Sequence, residues 1–317
     1  MSVANPTSAD RALADLGQEL VRQGYRFTTI TPASHERVHQ RAAKQSVTLR
    51  DIFGWSRPFA EADLHPRLLL LLGDAGALER SGGRLRSAVR FSTLGAQIFV
   101  HSAFPTEQGD AVFFGPDTYR FARALTHWIS SFQPRARARV LDIGAGSGAG
   151  GLHAAALLRG LAPRIVLTDI NQSAIRCCRI NAALNGVADV AVVESDLYAG
   201  VEGSYDLIMS NPPYLVDPSA RLYRHGGGDL GSALSVRIAE QGVGRLAPGG
   251  RLLLYTGSAI VDGVDALHET LRERLAGRVV DFRYEEIDPD VFGEELDRPP
   301  YDRADRIAAV VATIAAA

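Results

Sequence analysis

Between residues 136 and 276, short apolar runs alternate with stretches that repeat apolar residues at the helical period. The runs at 138–144, 164–170, 190–196, 205–210 and 250–257 predict strands. Strands that alternate with helices favour a doubly wound, mostly parallel sheet, because neighbouring parallel strands need a long crossover connection. Two further runs near the end, 278–287 and 306–315, predict an antiparallel edge. We therefore expect an α/β fold with a seven-stranded sheet.

The first part of the chain has a different pattern. Helices are predicted over 9–24, 34–44 and 66–80, followed by two strands, 84–95 and 96–104, that join near Gly95. Helices followed by a hairpin suggest a smaller α+β domain with a winged-helix-like arrangement.

The charge of the chain is unevenly distributed. Residues 1–135 contain 16 Arg and Lys against 12 Asp and Glu, whereas the remainder contains 18 against 24. The net charge of −2 argues against a strongly electrostatic nucleic-acid binder but leaves room for a local basic patch. Arg84, Arg86 and Arg90 could face phosphates, although such a set is more often a solvated strand face. His101 is expected to be structural.

The cysteines and the apolar runs indicate the cellular compartment of the protein. Cys177 and Cys178 are adjacent and are the only cysteines, which suits a reducing compartment. No signal peptide and no membrane-spanning segment are expected, so the prediction is a cytoplasmic protein without a membrane partner. No His, Cys and carboxylate spacing indicates a metal site, and the oligomeric state stays open.

A glycine cluster comes directly after the strand at 138–144. Its spacing is ambiguous, because Gly146, Gly148 and Gly151 fit G-x-G-x-x-G, the dinucleotide-binding spacing, while Gly144, Gly146 and Gly148 fit G-x-G-x-G after Asp142. Glycines let the backbone turn tightly and approach a ligand closely. The next strand ends in Asp169, whose carboxylate can accept both hydrogen bonds of a ribose diol.

Residues 210–214 read SNPPY and come at the end of the strand at 205–210. Proline lacks a backbone N–H and does not fit inside a central strand, so the strand must end at Ser210 or Asn211. The two prolines then form a stiff turn that carries carbonyl acceptors and lacks two donors. Such a turn suits a ligand that brings its own N–H groups.

Together these residues resemble class I S-adenosylmethionine-dependent methyltransferases over roughly residues 110–260. The stretch Asp142-Ile-Gly144-Ala-Gly146-Ser-Gly148 is similar to the first motif of that family, and Asn211-Pro-Pro-Tyr214 to its [ND]PP[YFW] motif. The resemblance implies that S-adenosylmethionine is the cofactor. The positions that it implies for binding the cofactor are Asp142, Gly144, Gly146, Gly148, Asp169 at the ribose, Ile170 beside it, Asp196 with Leu197 near the adenine, Asn211, and Thr118.

The resemblance gives the turn a chemical role. The nitrogen of a planar –NH₂ group is a poor nucleophile until its N–H groups are held and its lone pair faces the methyl carbon, and such positioning can supply about 7–11 kcal/mol of the barrier. The Asn211 side-chain oxygen and the Pro212 carbonyl can each accept one N–H, while Pro213 offers no competing donor. Tyr214 can lie against the planar group and exclude water. We therefore expect catalysis and substrate binding at Asn211, Pro212, Pro213 and Tyr214.

Two segments bear on the substrate. Pro116-Asp117-Thr118 is similar to the P-E-T segment of release-factor glutamine methyltransferases, and Gly227, Gly228, Asp229 and Gly231 are similar to their GG-x-DG stretch. The first part of the chain departs from the helical bundle of that group, whereas ribosomal-RNA base N-methyltransferases share the catalytic core with varied leading domains.

These resemblances leave more than one substrate class open. The predicted division is a substrate-recognition domain over 1–108 and an S-adenosylmethionine-dependent methyltransferase domain over 109–317. The expected acceptor is a glutamine amide of a release-factor-like protein. The alternatives are a guanine or adenine amino group of ribosomal RNA and a small molecule.

Overall fold

A large sheet forms the centre of the molecule in the computed structural model, which describes residues 7–41, 47–132 and 134–316. The helices are α1 (Ser8–Arg22), α2 (Pro32–His39), α3 (Leu49–Phe53), α4 (Pro66–Asp74), α5 (Pro116–Ser130), α6 (Ala149–Leu157), α7 (Gln172–Leu184), α8 (Ala233–Val243) and α9 (Ala266–Leu275). The strands are β1 (Leu78–Ser81), β2 (Arg84–Ser87), β3 (Val89–Leu94), β4 (Gln97–Ser102), β5 (Arg139–Ile143), β6 (Arg164–Asp169), β7 (Val190–Glu194), β8 (Tyr205–Ser210), β9 (Leu246–Val261), β10 (Val264–Asp265), β11 (Asp281–Asp288) and β12 (Arg306–Ala315).

The order of strands in this sheet is β11-β12-β9-β8-β5-β6-β7, and β10 pairs with β9 off that path. Strands β9, β8, β5, β6 and β7 run parallel, while β12 pairs antiparallel with both β9 and β11. The predicted α/β class, the seven strands of the main path and the antiparallel edge are thus confirmed. The chain order reverses between β5 and β8, and a crevice at the carboxyl ends of such strands is where open α/β sheets bind ligands.

Residues that alternate along the central strands fill two cores, one on each face of the sheet. Val140 and Met209 pack on one side with α5, α6 and α7, whereas Leu141 and Ile208 pack on the other with α8 and α9. Strands buried on both faces account for the continuous apolar runs in the sequence.

The N-terminal part combines α1–α4 with two hairpins, β1–β2 and β3–β4, over a third apolar core. The turn at Gly95 is confirmed, but the helix predicted over 66–80 is wrong in its second half: α4 ends at Asp74, Gly76 has φ +65°, and 78–81 pair with β2. Helix α2 covers only the first part of the predicted segment 34–44, and residues 42–46 lie outside the described residues. The winged-helix-like arrangement and the boundary after residue 108 stay predictions.

Two asparagines of α7 connect the hairpin β3–β4 to the central sheet. The buried Asn181 side chain accepts from Val100 N (2.8 Å) and donates to Val100 O and Ser147 O (both 2.9 Å). Asn185 makes the equivalent pair with Ile98 N and O at 3.1 and 2.8 Å. These amides cap the free edge of β4, so the N-terminal part and the loop after β5 are held by one helix.

No helix within the described ranges is long and apolar enough to cross a bilayer.

We expect Asn181→Ala to lower the free energy of unfolding by roughly 3 kcal/mol, because it leaves three buried main-chain groups without a partner. Asn185→Ala is the matched control and should cost about 1 kcal/mol, since Asn185 is half-buried. Urea denaturation measures both, and equal losses would contradict the role given to Asn181.

Candidate active site

The loop between β5 and α6 is a tight backbone cradle. Gly144, Gly146 and Gly148 have φ of 66°, 56° and 78°, a region that side chains disfavour. A Cβ on Gly150 would lie 2.5 Å from the Phe121 ring and 2.9 Å from Asp142 Oδ2, so this residue must also stay small. The loop therefore presents main-chain atoms, rather than side chains, to the space above the sheet.

Asp142 lies beneath this cradle and is buried. Its Oδ2 accepts a hydrogen bond from Gly151 N at 2.7 Å, at the start of α6. Burial raises the pKa of Asp142 to about 7; the bond from Gly151 lowers it and the nearby Asp169 raises it further. The Asp142 carboxyl group thus supports the loop from below. It also holds a proton more tightly than an exposed aspartate does.

Asp169 ends β6 and orders the same loop from the other side. Its Oδ2 accepts from Gly146 N at 2.8 Å and its Oδ1 from Asn171 N at 2.9 Å. Burial raises its pKa, while the bonds from Asn171 and Gly146 lower it. A carboxylate has about four acceptor positions, so these main-chain bonds leave room for a ligand hydroxyl to donate to Asp169.

The loop and strand ends enclose a cleft of about 220 Å³ at the switch point between β5 and β8. Of the sequence-predicted site residues, those that line it are Thr118, Asp142, Gly144, Gly146, Asp169, Ile170, Asp196, Leu197, Asn211, Pro212, Pro213 and Tyr214. Gly148 does not line the cleft; it is the N-cap residue of α6 and lies close to the side chains of Leu167 and Leu152.

The cofactor side of this cleft fits S-adenosylmethionine. Ile170 is 55% exposed beside Asp169, which offers an apolar surface next to an acceptor carboxylate. The Thr118 hydroxyl accepts from Gly115 N at 3.2 Å and so caps the start of α5.

Within residues 7–41, 47–132 and 134–316, no three His, Cys, Asp or Glu side chains group as a metal site would require.

The Asn211-Pro-Pro-Tyr214 turn comes directly after β8, and all four residues line the cleft. Asn211 is partly exposed there, whereas Tyr214 is 7% exposed. The Tyr214 hydroxyl donates to Asp117 Oδ2 at 2.6 Å, and its ring lies over Gly257, where a Cβ would approach within 2.3 Å. This geometry anchors the turn from behind, while the predicted stacking of Tyr214 on a substrate stays a prediction.

Asp117 is a site residue whose role the sequence did not reveal. The buried carboxylate accepts from Tyr214, from the Tyr255 hydroxyl at 2.8 Å and from Arg120 Nη1 at 3.2 Å. Three donors compensate for the burial of its charge. The Pro116-Asp117-Thr118 segment marked its place, but Tyr255 lies on β9 and no local pattern indicates it.

The glycine segment after the turn has a packing role. A Cβ on Gly226 would lie 2.6 Å from Pro213 O, and one on Gly231 would lie 2.2 Å from Tyr214 O. Gly231 also has φ +83°. These glycines let the segment 226–231 lie against the backbone of the proline turn. The sequence motif begins one residue later, at Gly227, and therefore does not indicate Gly226.

Comparisons with known proteins agree with this geometry. Residues 121–275 match the family model described as the methyltransferase small domain. A release factor glutamine methyltransferase of Deinococcus radiodurans is 37% identical over 131 residues, which are 37% of this chain and 44% of the relative. One from Bordetella pertussis is 34% identical over 173 residues, or 50% of this chain and 60% of the relative. A ribosomal RNA small subunit methyltransferase C of Serratia proteamaculans is 28% identical over 152 residues, or 46% and 40% of the two chains.

Residues 121–275 thus match a methyltransferase small domain, and the predicted resemblance to S-adenosylmethionine-dependent methyltransferases is confirmed. The chain spans about half the length of the curated relatives that it matches.

The raised pKa of Asp142 predicts a pH dependence of stability. Between pH 4 and 7 the folded state keeps a proton that the unfolded chain loses, so this group makes unfolding easier as pH rises, by roughly 1.4 kcal/mol per pH unit. Asp142→Asn keeps an acceptor for Gly151 but cannot titrate. We expect the slope of unfolding free energy against pH to be more positive in the variant by about that amount; identical slopes would contradict the assignment.

We expect Gly231→Ala to impair methyl transfer more than cofactor binding, because the added methyl group displaces the backbone of the proline turn and leaves the loop after β5 in place. Gly263→Ala is the control: its φ is +74° and a Cβ there meets nothing within 4 Å. Calorimetric titration with S-adenosylmethionine and a transfer assay separate the two effects. Equal effects of both substitutions on transfer would refute the packing role.

Proposed function

We propose that this protein transfers a methyl group from S-adenosylmethionine to the nitrogen of a planar –NH₂ group. The acceptor that we propose is the side-chain amide of a glutamine in a protein. The observation that carries the proposal is that Asn211 and Pro212 line the same cleft as the glycine loop and Asp169, at the switch point of the sheet. The cofactor supplies an electrophilic methyl group on a sulfonium.

In this proposal the chain's own residues position the reactants and exclude water. Asp169 and the main chain of Gly144 and Gly146 would hold the cofactor, and Asp142 would support their loop from below. Asn211 Oδ1 and Pro212 O accept the two N–H groups of the acceptor and turn its nitrogen lone pair toward the cleft. The acceptor nitrogen would gain the methyl group as the bond from that methyl to the sulfonium sulfur breaks, with the electron pair kept by sulfur, and the nitrogen would lose one of its protons to solvent.

The glutamine acceptor is supported by the relatives named release factor glutamine methyltransferase and by segment 226–231, which packs on the proline turn. A second candidate, the amino group of a ribosomal RNA base, is favoured by the positive balance of the first 135 residues and by the relative that acts on ribosomal RNA by name. We further propose a cytoplasmic location, in keeping with the free thiols of Cys177 and Cys178.

We expect Asn211→Ala to reduce methyl transfer about 100-fold while cofactor affinity changes little, because the lost oxygen positions only the acceptor. Asp169→Ala should instead weaken cofactor binding about tenfold or more, since it removes the carboxylate proposed for the ribose and the bond that holds Gly146 N of the loop. Gln172→Ala, which removes an exposed amide outside the cleft, is the control. Full activity of Asn211→Ala on the natural substrate would refute the mechanism.

The acceptor class can be assigned with methyl-labelled S-adenosylmethionine and a lysate of cells that lack this protein. After reaction, the sample is divided between protease and ribonuclease. Loss of label with protease supports the glutamine proposal. Loss with ribonuclease would replace it with the RNA candidate, and label confined to small molecules would contradict both.

A further inference from the structure

Five nitrogen-bearing side chains of the N-terminal part lie together, and we call them the α2 cation cluster: His35, His39, Arg57, Arg86 and Arg90. The imidazole rings of His35 and His39 on α2 are 4.4 Å apart. His35 also packs on Phe104 at 4.0 Å and on Trp55 at 5.2 Å. Arg57 donates to Val38 O near the end of α2 at 2.9 Å, and Arg86 donates to Phe104 O, so both guanidinium groups are fixed at this place.

The cluster contains buried nitrogen atoms that no described residue satisfies. The buried nitrogens without a hydrogen-bond partner among the described residues are Nδ1 of His35 and Nε of Arg57, Arg86 and Arg90. All four belong to this one cluster. The three arginine Nε atoms are donors, and an unsatisfied buried donor costs roughly 1–3 kcal/mol, so three in one place point to a missing acceptor.

Arg90 shows most clearly that a partner is missing. Its burial also corrects the expectation that Arg84, Arg86 and Arg90 form a solvated strand face. Arg90 is 3% exposed, its Nη2 donates to Thr29 Oγ1 at 3.3 Å, and its guanidinium lies over the Phe27 ring at 5.5 Å. Burial lowers its pKa to about 10, with Tyr25 and Tyr119 as the groups that act to raise it. A buried arginine is normally paired with a carboxylate, and here its described neighbours are hydroxyls and rings.

The charges around the two histidines also indicate that the cluster lacks an anionic partner. Burial lowers the pKa of His35 to about 3, and the positive charges of Arg90 and Arg57 lower it further. Burial lowers the pKa of His39 as well, and the positive charges of Arg57, Arg86 and Arg90 lower it further. The carboxylate of Asp51 lies 3.9 Å from Arg57 Nε, beyond hydrogen-bond distance. Asp51 therefore offsets part of the charge of Arg57, whereas no ion pair of Arg86 or Arg90 is present among the described residues.

We propose that the α2 cation cluster binds a phosphate group. One carboxylate is satisfied by a single arginine fork, whereas donors on three separate guanidinium groups match the several oxygens and the higher charge of a phosphate. Arg57 and Arg86 are partly exposed, so their guanidinium groups can be reached from solvent, whereas Arg90 and His35 are buried behind them. The partly exposed rings of Trp55 and Phe104 offer a surface on which a nucleotide base can stack.

The position of the cluster connects it to the cleft. Arg90 faces His101 across the hairpin β3–β4, and the His101 ring stacks on Phe114 just before α5. Phe113, the neighbour of Phe114, lines the cleft. A phosphate held here would lie on the substrate-recognition side of the molecule. The proposal stands apart from the proposed acceptor, because phosphate binding is measured without methyl transfer.

The test titrates the full chain with potassium phosphate against potassium chloride at constant ionic strength, by calorimetry. We expect saturable binding of inorganic phosphate. Arg57→Gln and Arg90→Met should each weaken it about tenfold, since each loses a charge-assisted hydrogen bond. Arg80→Gln, an exposed arginine of β1, is the control and should bind as the unaltered protein does. Unaltered affinity for S-adenosylmethionine shows that the variants are folded, and Arg57→Gln decides the matter if Arg90→Met does not fold.

Two further probes identify the source of the phosphate. Adenosine monophosphate and a single-stranded RNA oligonucleotide are compared as competitors of inorganic phosphate. Tighter binding of the oligonucleotide, lost in Arg57→Gln, supports a site for a nucleic-acid backbone. Competition by the mononucleotide alone supports a site for a small phosphorylated molecule. Absence of saturable phosphate binding, or equal affinity in both cluster variants and the control, would overturn the proposal and leave water as the partner of these donors.

Discussion

The acceptor side of the cleft depends on the buried carboxylate of Asp117. A carboxylate without water is stable only when donors surround it, and Tyr214, Tyr255 and Arg120 supply them from three parts of the chain. Asp117 in turn fixes the position of the Tyr214 hydroxyl, and with it the end of the proline turn. Asn211 can then face the cleft from a turn that two prolines stiffen and a buried hydrogen bond holds.

Glycines serve this site in two distinct ways. In the loop after β5 they provide positive φ and an exposed main chain, as at Gly144 and Gly146. In the segment after the proline turn, Gly226 and Gly231 are needed because another backbone lies where a Cβ would be. Asn181 adds the third constraint, since one amide joins β4 of the N-terminal part to Ser147 in the cofactor loop. Helix α7 therefore connects the N-terminal hairpin directly to the loop after β5.

The sequence predicted the sheet, the glycine loop and the proline turn because each is encoded locally, by apolar periodicity or by residues with restricted backbones. It did not predict contacts between distant positions. Asp117 and Tyr255 are 138 residues apart, and no pattern near either residue indicates the other. The prediction for Arg90 was wrong for a related reason: alternation along β3 shows that two faces exist, but only the packing of Phe27 and Thr29 on the Arg90 guanidinium shows that its face is covered. The helix predicted over 66–80 was wrong beyond Asp74, because the prediction gave the leucine periodicity more weight than the helix-ending signal of Gly76.

The central claim is that the proline turn presents a planar –NH₂ group beside the cofactor loop. The most direct test is mass spectrometry of the product after transfer from methyl-labelled S-adenosylmethionine, with fragmentation that assigns the methylated atom. The account predicts a methyl group on an amide or exocyclic amino nitrogen, absent when Asn211 is replaced by alanine. A methyl group on oxygen, sulfur, carbon or a ring nitrogen would contradict it.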